Sequence, residues 1–334
     1  MRRICGLAAG VAAAFSLAAC GGGGGATARA SHTQATRPLS VAVTEPPASS
    51  SAAAKTRPAA AKPKPRPAPA PFPRLLPSAQ ATQPTAFVPV AQWDGQTAVW
   101  EARAASGVAL LSFNQKLVEL HLHSGSTDAG SIGWRYGPEI AGSEALHLIA
   151  AFNGGFKFTT GSGGFMSYGR VAVPLRAGLG SIVTYADGTS DVGSWGSEVP
   201  ARGRPVASVR QNLSLLIDHG VAAPDTGCVS CWGATLGGVL DPARSALGVS
   251  ADGRLIWAGG EHLTVAALAQ ALLSARVVRA VELDINPFWV NGYLYGHRGG
   301  HGPLAPVPVV PGQNGISGEY LTPWSRDFFT AVAR

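Results

Sequence analysis

The stretch Leu146-His-Leu-Ile-Ala-Ala-Phe-Asn-Gly-Gly-Phe156 is the most informative part of this 334-residue chain. An apolar run that ends abruptly in Asn153-Gly154-Gly155 predicts a buried strand that delivers its backbone to a site. Adjacent glycines can adopt positive φ and present successive main-chain N–H groups, which together form a hollow that binds anions. The alternative is an ordinary tight turn after a buried strand.

The first twenty residues (1–20) predict an export signal rather than part of the fold. Two arginines at positions 2 and 3 precede an apolar run that is too short to span a membrane in the mature protein. Leu17-Ala-Ala-Cys20 resembles a lipobox, the bacterial lipoprotein signal in which the cysteine carries the lipid. We therefore expect an extracytoplasmic protein that is anchored to the cell membrane through Cys20, with plain secretion as the alternative. No further span is predicted after residue 20.

Residues 21–86 predict a disordered tether. This segment is rich in Ala, Pro, Ser and Thr and has almost no large apolar residues, so it cannot bury enough surface to offset its conformational entropy. The proline-rich run Thr56–Pro73 favours an extended polyproline geometry that would span roughly 50 Å. A ligand for a proline-binding domain is the alternative.

The net charge of +7 belongs to this N-terminal part of the chain. Ten of the 26 Lys and Arg residues, but only one of the 19 acidic residues, precede position 87. The remaining residues therefore have a slight excess of acidic side chains. A nucleic-acid-binding protein needs a basic face on its folded domain, so we exclude nucleic acid as a partner. The basic tether instead suits anionic lipid or wall phosphate.

Residues 87–334 predict a single α+β domain that is strand-rich, with mixed or antiparallel sheets and a few helices. Hairpins are predicted where two β-type runs flank a turn pair: Asn114-Gln115, Asp187-Gly188 and Asp252-Gly253. Thr264 can cap a helix that extends to about Ala275. The segment Arg279–Ile285 follows as a strand.

Cys228 and Cys231 remain after Cys5, in the signal, and Cys20 have been set aside. Outside the cytoplasm the default for such a pair is a disulfide. A thioredoxin-like role would need a helix directly after the motif, and a zinc site would need two further ligands at suitable spacing. Neither is evident, so we expect a local structural disulfide.

Two acidic residues near the end of the last predicted strand are candidates for catalysis. In Val281-Glu-Leu-Asp-Ile285, the strand period places Glu282 and Asp284 on one face. Neighbouring carboxylates raise the pKa of one of them, which provides one acid and one base. A solvent-facing strand with two charges is the alternative. Phe288 and Trp289 follow, and such aromatics stack on sugars or belong to a core.

Arg244 and two histidines are further candidates. The guanidinium of Arg244 can hold a phosphate or carboxylate with two parallel bonds, and an ordinary ion pair with Asp241 is the alternative. His121 and His123 would share one strand face and are candidates for a metal site, although an ordinary exposed face is the stronger expectation. We expect no metal and no cofactor.

In order and spacing, these segments resemble the phosphodiester glycosidase family over roughly residues 105–330. Asn153-Gly154-Gly155 matches the family's Asn-Gly-Gly turn, and Arg244-Ser-Ala matches its Arg-Ser/Thr-Ala element. Asp252-Gly253 matches its hairpin turn, and Leu283-Asp284 matches the start of its Leu-Asp-Gly-Gly-Gly-Ser signature. The three glycines and the serine of that signature are replaced here by Ile285-Asn-Pro-Phe288, which is bulkier and stiffened by proline.

The resemblance implies a phosphodiester-glycosidase-like fold and an envelope-anchored hydrolase that cleaves between a sugar's anomeric carbon and a phosphate oxygen. Asp284 would be the nucleophile or base and Glu282 a supporting or acid group, while Arg244 and the Asn153–Gly155 amides would hold the phosphate. The aromatic pair after the strand would shape a sugar platform. The replaced signature leaves a second possibility, a non-catalytic protein that binds cell-wall glycan or a teichoic-type polymer. A scaffold for envelope assembly is the third.

Overall fold

Three antiparallel sheets form the domain in the computed structural model, which describes residues 72–77, 85–233, 238–239, 241–316 and 318–334. In spatial order, sheet I contains β1 (Arg74–Leu75), β2 (Val88–Trp93), β3 (Gln96–Arg103), β4 (Ala109–Phe113), β15 (Leu255–Gly260), β14 (Arg244–Ser250), β16 (Val277–Glu282), β12 (Leu215–Asp218) and β13 (Val221–Ala222). Sheet II contains β10 (Ser190–Ser194), β9 (Gly180–Tyr185), β11 (Val206–Gln211), β7 (Phe165–Ser167) and β8 (Arg170–Val173). Sheet III contains β18 (Leu304–Pro308), β17 (Gly292–His297), β6 (Leu148–Asn153), β19 (Phe328–Ala333) and β5 (Val118–His123).

Helices are few in the described residues. They are α1 (Ser143–His147), α2 (Val265–Ser274) and short 3-10 turns at Phe158–Thr160, Val229–Trp232, Arg298–Gly300 and Glu319–Leu321. The helix predicted after Thr264 is confirmed as α2, because the Thr264 side chain accepts a hydrogen bond from Ala267 N at 3.1 Å. The expectation of a strand-rich domain with few helices is confirmed, and its sheets are antiparallel.

The central strands β4, β15 and β14 of sheet I are buried on both faces because they alternate their side chains between two hydrophobic layers. Trp257 of β15 points to the layer shared with sheet III, where its ring lies 5.6 Å from that of Phe152. The adjacent Ile256 belongs to the layer under α2, with Leu268 and Leu272. Every residue of β15 is buried. Its sequence suits this position, because it contains only apolar or small residues and lacks the polar alternation of a solvent-facing strand.

Two of the three predicted hairpins are confirmed, at Asp187-Gly188 between β9 and β10 and at Asp252-Gly253 between β14 and β15. The hairpin predicted around Asn114-Gln115 is wrong. β4 pairs with β3 and β15 in sheet I, whereas β5 pairs with β19 in sheet III. Leu117 N and Val118 N both donate to Asn114 O at 2.9 Å, so the bend is helix-like and carries the chain from one sheet to another.

The end of the predicted tether belongs to the fold. Arg74 and Leu75 form β1, which pairs with β2, and the Leu75 side chain packs against the core that sheets I and III share. Phe72 contacts the ring of His297, with 4.4 Å between the centroids. These apolar residues anchor a segment that its proline content alone would leave extended. The signal, Cys20 and the rest of the tether lie outside the described residues.

Cys228 and Cys231 form a disulfide within the loop that carries the 3-10 turn Val229–Trp232. The expected local cross-link is therefore present in the structure. Among the described residues, no helix has the length and apolar character needed to cross a membrane.

We expect Thr264→Ala to lower the free energy of unfolding by about 1 kcal/mol, because the Ala267 amide loses its capping acceptor. Thr264→Ser is the matched control, since serine keeps the hydroxyl and caps helices at least as well as threonine, so the free energy of unfolding should not fall. Denaturant unfolding followed by circular dichroism measures both. Equal losses in the two variants would show that the hydroxyl does not cap α2.

Candidate functional site

The turn that ends β6 is held by Asp327, the residue before β19. Gly154 N donates to the carbonyl oxygen of Asp327 at 3.0 Å, and Gly155 N donates to its carboxylate Oδ2 at 3.1 Å. The amides of Asn153 and Phe156 also donate to protein oxygens. The turn thus binds an anion, but that anion is the protein's own carboxylate. The sequence predicts these amides as phosphate ligands, but in this structure protein oxygens already accept their hydrogen bonds.

Glycine is required in this turn because of close packing rather than positive φ. Neither Gly154 nor Gly155 adopts positive φ. A Cβ atom on Gly154 would collide with the Asp327 carboxylate, and one on Gly155 would lie 2.6 Å from Arg210 Cζ. The glycines therefore allow a buried ion pair to lie directly against the backbone, in which Arg210 Nε and Nη2 contact the two oxygens of Asp327 at 2.7 and 3.1 Å.

Asp284 meets the turn through a short network of hydrogen bonds. Its amide donates to Gly154 O at 3.0 Å, and its carbonyl accepts from Ser245 Oγ at 3.0 Å. Asn153 Nδ2 donates to the same Ser245 hydroxyl at 2.8 Å. The ends of β6, β14 and β16 therefore converge, as the sequence predicts for the segments that contain Asn153, Arg244 and Asp284.

The Asp284 carboxylate is nearly enclosed by protein, with a relative exposure of 5% for the residue. Oδ1 accepts from Asn286 N at 2.9 Å, and Oδ2 lies 3.5 Å from Arg326 Nη2. Burial raises the pKa of Asp284 to about 7, and the nearby Asp327 charge adds to the rise, while the Asn286 amide opposes it. Asp284 therefore changes protonation near neutral pH, as an acid or base in catalysis must.

Arg326 connects Asp284 to the loop between β5 and α1. Its guanidinium forms an ion pair with Asp128 and donates to Gly155 O at 3.2 Å. Sequence reasoning missed Arg326, Asp327, Arg210 and Asp128 as parts of the site. The available signal was the Arg-Asp pair inside Ser325-Arg-Asp-Phe-Phe329, where two charges precede an apolar strand. From the sequence we expect this segment to close the domain by packing its aromatics onto the core. Both phenylalanines are indeed buried.

Arg244 and Glu282 lie on the opposite side of sheet I from Asp284. Adjacent residues of a strand point to opposite faces, so Ser245 faces the turn and Arg244 faces the layer under α2. Arg244 Nη1 lies 2.6 Å from Glu282 Oε1, and both side chains are fully buried. Burial raises the pKa of Glu282, and the Arg244 charge opposes this rise. The partner of Arg244 is thus Glu282 and not Asp241.

Two sequence expectations about these residues need correction. β16 ends at Glu282, so strand periodicity does not continue to Asp284, and the two carboxylates have different partners. Neither residue faces solvent. Arg244 also donates to Leu263 O and Trp232 O, each at 3.0 Å, which leaves its guanidinium enclosed rather than open to a phosphate.

The Trp289 ring has two cations against it, the exposed Lys157 and the buried Arg326. Lys157 Nζ and Arg326 Cζ lie 4.6 and 4.8 Å from the centre of the Trp289 ring. Phe288 is 67% exposed beside them. Of the aromatic pair that the sequence proposes as a sugar platform, Phe288 is therefore at the surface, whereas Trp289 is half-buried against the two cations.

Four side chains of the site each have one buried polar atom without a hydrogen-bond partner in the structure: Asn153 Oδ1, Arg244 Nη2, Glu282 Oε2 and Arg326 Nε. Buried polar atoms are usually paired, so such atoms mark places where a water or a ligand hydroxyl would be stabilised. The aspartates around the turn each have an arginine close by, Arg326 for Asp128 and Asp284 and Arg210 for Asp327. These residues therefore favour an organic or anionic ligand over a metal ion.

The fold has distant counterparts among solved structures. The catalytic domain of zebrafish N-acetylglucosamine-1-phosphodiester alpha-N-acetylglucosaminidase, auto-inhibited by its pro-peptide, is 15% identical with a TM-score of 0.42 over 78% of this chain and 87% of that one. A hypothetical protein from Synechocystis is 14% identical with a TM-score of 0.40, over 72% of this chain and 63% of that one. No protein-family model and no curated protein sequence matches the chain. These values indicate a distant likeness in fold and assign no activity.

We expect Asp284→Asn to gain stability relative to the unchanged protein as pH rises from 4 to 8. The unfolded chain releases this proton near pH 3.8, whereas the folded protein keeps it until about pH 7, so Asp284 lowers stability progressively across that window. The relative gain should reach about 2–4 kcal/mol, since a tenfold change in proton affinity is worth about 1.4 kcal/mol. Denaturant unfolding at both pH values measures it.

The matched control is Asp94→Asn, which removes an exposed carboxylate from the turn between β2 and β3. It shows what the loss of one carboxylate does at a position where burial does not oppose the charge. A pH-independent effect of Asp284→Asn would contradict a near-neutral pKa for Asp284.

Proposed function

We propose that this protein is an extracytoplasmic hydrolase that cleaves a glycosyl phosphodiester, the linkage between a sugar's anomeric carbon and a phosphate oxygen. The observation that carries the proposal is the environment of Asp284. This carboxyl group is buried, has a pKa raised to about 7, and lies 3.5 Å from Arg326 next to a surface with aromatic and cationic side chains. A sugar phosphate needs these three elements, a carboxylate for the anomeric carbon, cations for the phosphate and rings for the sugar.

In the proposed reaction the bond between the anomeric carbon and the phosphate oxygen breaks, and the phosphate monoester leaves with the bonding electrons. Asp284 in its ionised form acts as nucleophile, giving a glycosyl ester that water then hydrolyses, or as base that takes a proton from the attacking water. Since the departing phosphate monoester is a good leaving group, little help from an acid is needed. Glu282, which is paired with Arg244, then has a structural role and is not the catalytic acid.

Phosphate binding is assigned to Lys157, which is exposed, in place of the enclosed Arg244, and the buried Arg326 lies against the same Trp289 ring. Both cations contact the face of Trp289, and charge-assisted bonds to a phosphate are strongest where water is partly excluded. Phe288 provides the exposed ring for the sugar. The proposal thus keeps the aromatic platform predicted from the sequence and changes the residues that hold the phosphate.

The export and lipid anchoring of this hydrolase are part of the same proposal. The disulfide between Cys228 and Cys231 is compatible with an oxidising compartment, where such bonds persist. The lipobox at Cys20 would retain the protein at the cell membrane, and the basic tether would place the domain near wall polymers. The substrate would then be a carbohydrate phosphate of the envelope.

A second candidate function is a non-catalytic protein that binds cell-wall glycan or a teichoic-type polymer. The amides of the Gly154-Gly155 turn are already occupied by Asp327, and Phe288 is largely exposed. Both features suit a surface that holds a polymer without reacting with it.

Methyl diesters of glucose, N-acetylglucosamine and mannose 1-phosphates provide the test. We expect the protein to release reducing sugar from at least one of them, and Asp284→Asn to lower kcat by about 10²-fold or more, because it removes the reacting carboxylate. Asp94→Asn is the matched control and should retain full turnover.

Equal rates for Asp284→Asn and the unchanged protein would remove Asp284 from the mechanism. If no diester is cleaved, sedimentation with purified cell wall tests the second function. Saturable binding that Phe288→Ala weakens, with Phe87→Ala as a control for aromatic loss elsewhere, would favour the binding protein over the hydrolase.

A further inference from the structure

Exposed cations and aromatic rings form a continuous surface that begins at Trp289 and extends over the loop after β5 and the hairpin of β7 and β8. Residues 126–180, all of which the structure describes, contain four Lys and Arg side chains, and each is exposed: Arg135, Lys157, Arg170 and Arg176. Of the three acidic residues in this range, two are bonded to buried side chains, and Glu139 is the exposed one. The domain as a whole has a slight excess of acids, so this surface, the basic face, is a local excess of positive charge.

Ring contacts connect the basic face to the candidate site. Lys157 Nζ lies 4.6 Å from the centre of the Trp289 ring, and the ring of the next residue, Phe158, lies 5.7 Å from that of Phe165. The Phe165 ring in turn lies 5.1 Å from that of Trp134, in the loop after β5. The basic face therefore starts beside the site and continues away from it.

Two arginines lie over aromatic rings at the far end of the basic face. Arg170 Cζ is 4.3 Å from the centre of the Trp134 ring, and Arg170 Nη1 donates to Ile132 O at 2.6 Å. Arg135 Cζ is 4.6 Å from the centre of the Tyr168 ring. A guanidinium held against a ring is fixed in position, and its in-plane N–H groups can still bind an anion.

These two arginines lack the carboxylate partners that similar arginines have. Arg204 and Arg254 are also partly exposed and also lie over aromatic rings, but they form ion pairs with Asp187 and Asp252. In the part of the chain that the structure describes, the two arginines of the basic face form no ion pair. Their positive charge is therefore available to a partner molecule.

The hairpin of β7 and β8 adds apolar surface beside these cations. Tyr168 has a φ of 48° and Gly169 a φ of 78°, which is the geometry of a two-residue hairpin turn that usually contains asparagine or glycine. Tyrosine is strained in this conformation, and its ring is 46% exposed. Ile132 and Val171 are 83% and 52% exposed. Sugar rings pack their apolar sides against such side chains, while their anionic groups pair with cations.

The basic face rests on a buried layer. The Tyr136 ring stacks on His121 at 4.0 Å and lies 5.9 Å from the Tyr168 ring. The sequence favours an ordinary exposed face for His121 and His123, and this expectation is wrong, because both are buried and hydrogen-bonded to Glu144. The rings at the surface are therefore held by a hydrogen-bonded layer beneath them.

We propose that the basic face binds a linear anionic glycan, a chain of sugars linked by phosphodiesters. The exposed cations pair with its phosphates, and the exposed ring and aliphatic side chains pack against its sugars. Asp284 then receives one linkage of a polymer, and the basic face binds the neighbouring units. Only the statement about Asp284 rests on the proposed hydrolase, since binding by the basic face needs no reaction.

Fluorescence anisotropy with a labelled oligomer of N-acetylglucosamine 1-phosphate diesters tests the proposal. The measurement uses the full chain with Asp284→Asn, so that the oligomer stays intact. We expect the added pair Arg135→Gln and Arg170→Gln to lower the affinity about 10-fold, because two charge-assisted contacts are lost. The matched control is Arg254→Gln, a ring-bound arginine of the β14–β15 hairpin, which should leave the affinity unchanged. All variants keep the basic tether, so differences among them report on the domain.

Two further measurements secure this test. Arg135→Gln alone keeps the Arg170 bond to Ile132 and serves if the double variant fails to fold, with an expected loss of about 3-fold. Hydrogen exchange should slow in residues 131–136 and 167–173 when the oligomer is bound. An uncharged oligomer of N-acetylglucosamine should bind at least about 10-fold more weakly than the phosphodiester.

Three results would overturn the basic face as a glycan site. They are unchanged affinity in both arginine variants, unchanged hydrogen exchange in residues 131–136 and 167–173, and equally tight binding of single-stranded DNA of the same charge. Release of sugar from small methyl diesters without binding of the oligomer would contradict this inference and leave the proposed hydrolase intact. Binding of the oligomer that the arginine variants weaken, without cleavage of any diester, would support the basic face and contradict the hydrolase.

Discussion

The buried ion pair between Arg210 and Asp327 organises the centre of this molecule. It joins β11 of sheet II to the start of β19 in sheet III, and its carboxylate and carbonyl oxygens also accept the amides of the Gly154-Gly155 turn. Taking two charges out of water is costly, and such a pair persists only when further hydrogen bonds satisfy its remaining atoms. Here the turn supplies those bonds, so neither the pair nor the turn is stable without the other.

The distribution of charge around this pair leaves Asp284 in a distinct position. Asp327 contacts Arg210 at 2.7 Å, and Asp128 pairs directly with Arg326, whereas Asp284 lies 3.5 Å from the same arginine. Its carboxylate therefore has the longest ion-pair distance of the three, although all three residues are buried. The raised pKa of Asp284 follows from its burial together with this weaker pairing.

Local signals in the sequence predict much of the fold, but they do not predict which strands pair when these are far apart in the chain. The Asp-Gly turns at 187–188 and 252–253 and the cap at Thr264 depend on neighbours in the chain, and these elements form as predicted. The partner of β5 lies more than two hundred residues away, at β19, and no local pattern reveals it. The wrong hairpin at Asn114-Gln115 arises from this limit.

Part of the candidate site was also predictable from the sequence, namely which segments meet but not which side chains pair. The convergence of Asn153 and Asp284 follows from short motifs at strand ends. The side of the sheet to which Arg244 points depends on where β14 begins, and one residue of register decides it. The anion in the turn is Asp327, and only the folded chain shows that a carboxylate 172 residues from Gly155 reaches that hollow.

The short strand β1 has a consequence for where the folded protein begins. Sheet I would end at β2 without β1, because the backbone of Arg74 and Leu75 pairs with the outer side of that strand. A bare border strand presents N–H and C=O groups that recruit strands from other molecules and lead to aggregation. β1 therefore covers the edge of sheet I. A fragment that begins at residue 87 would lose this protection while keeping nearly all of the core.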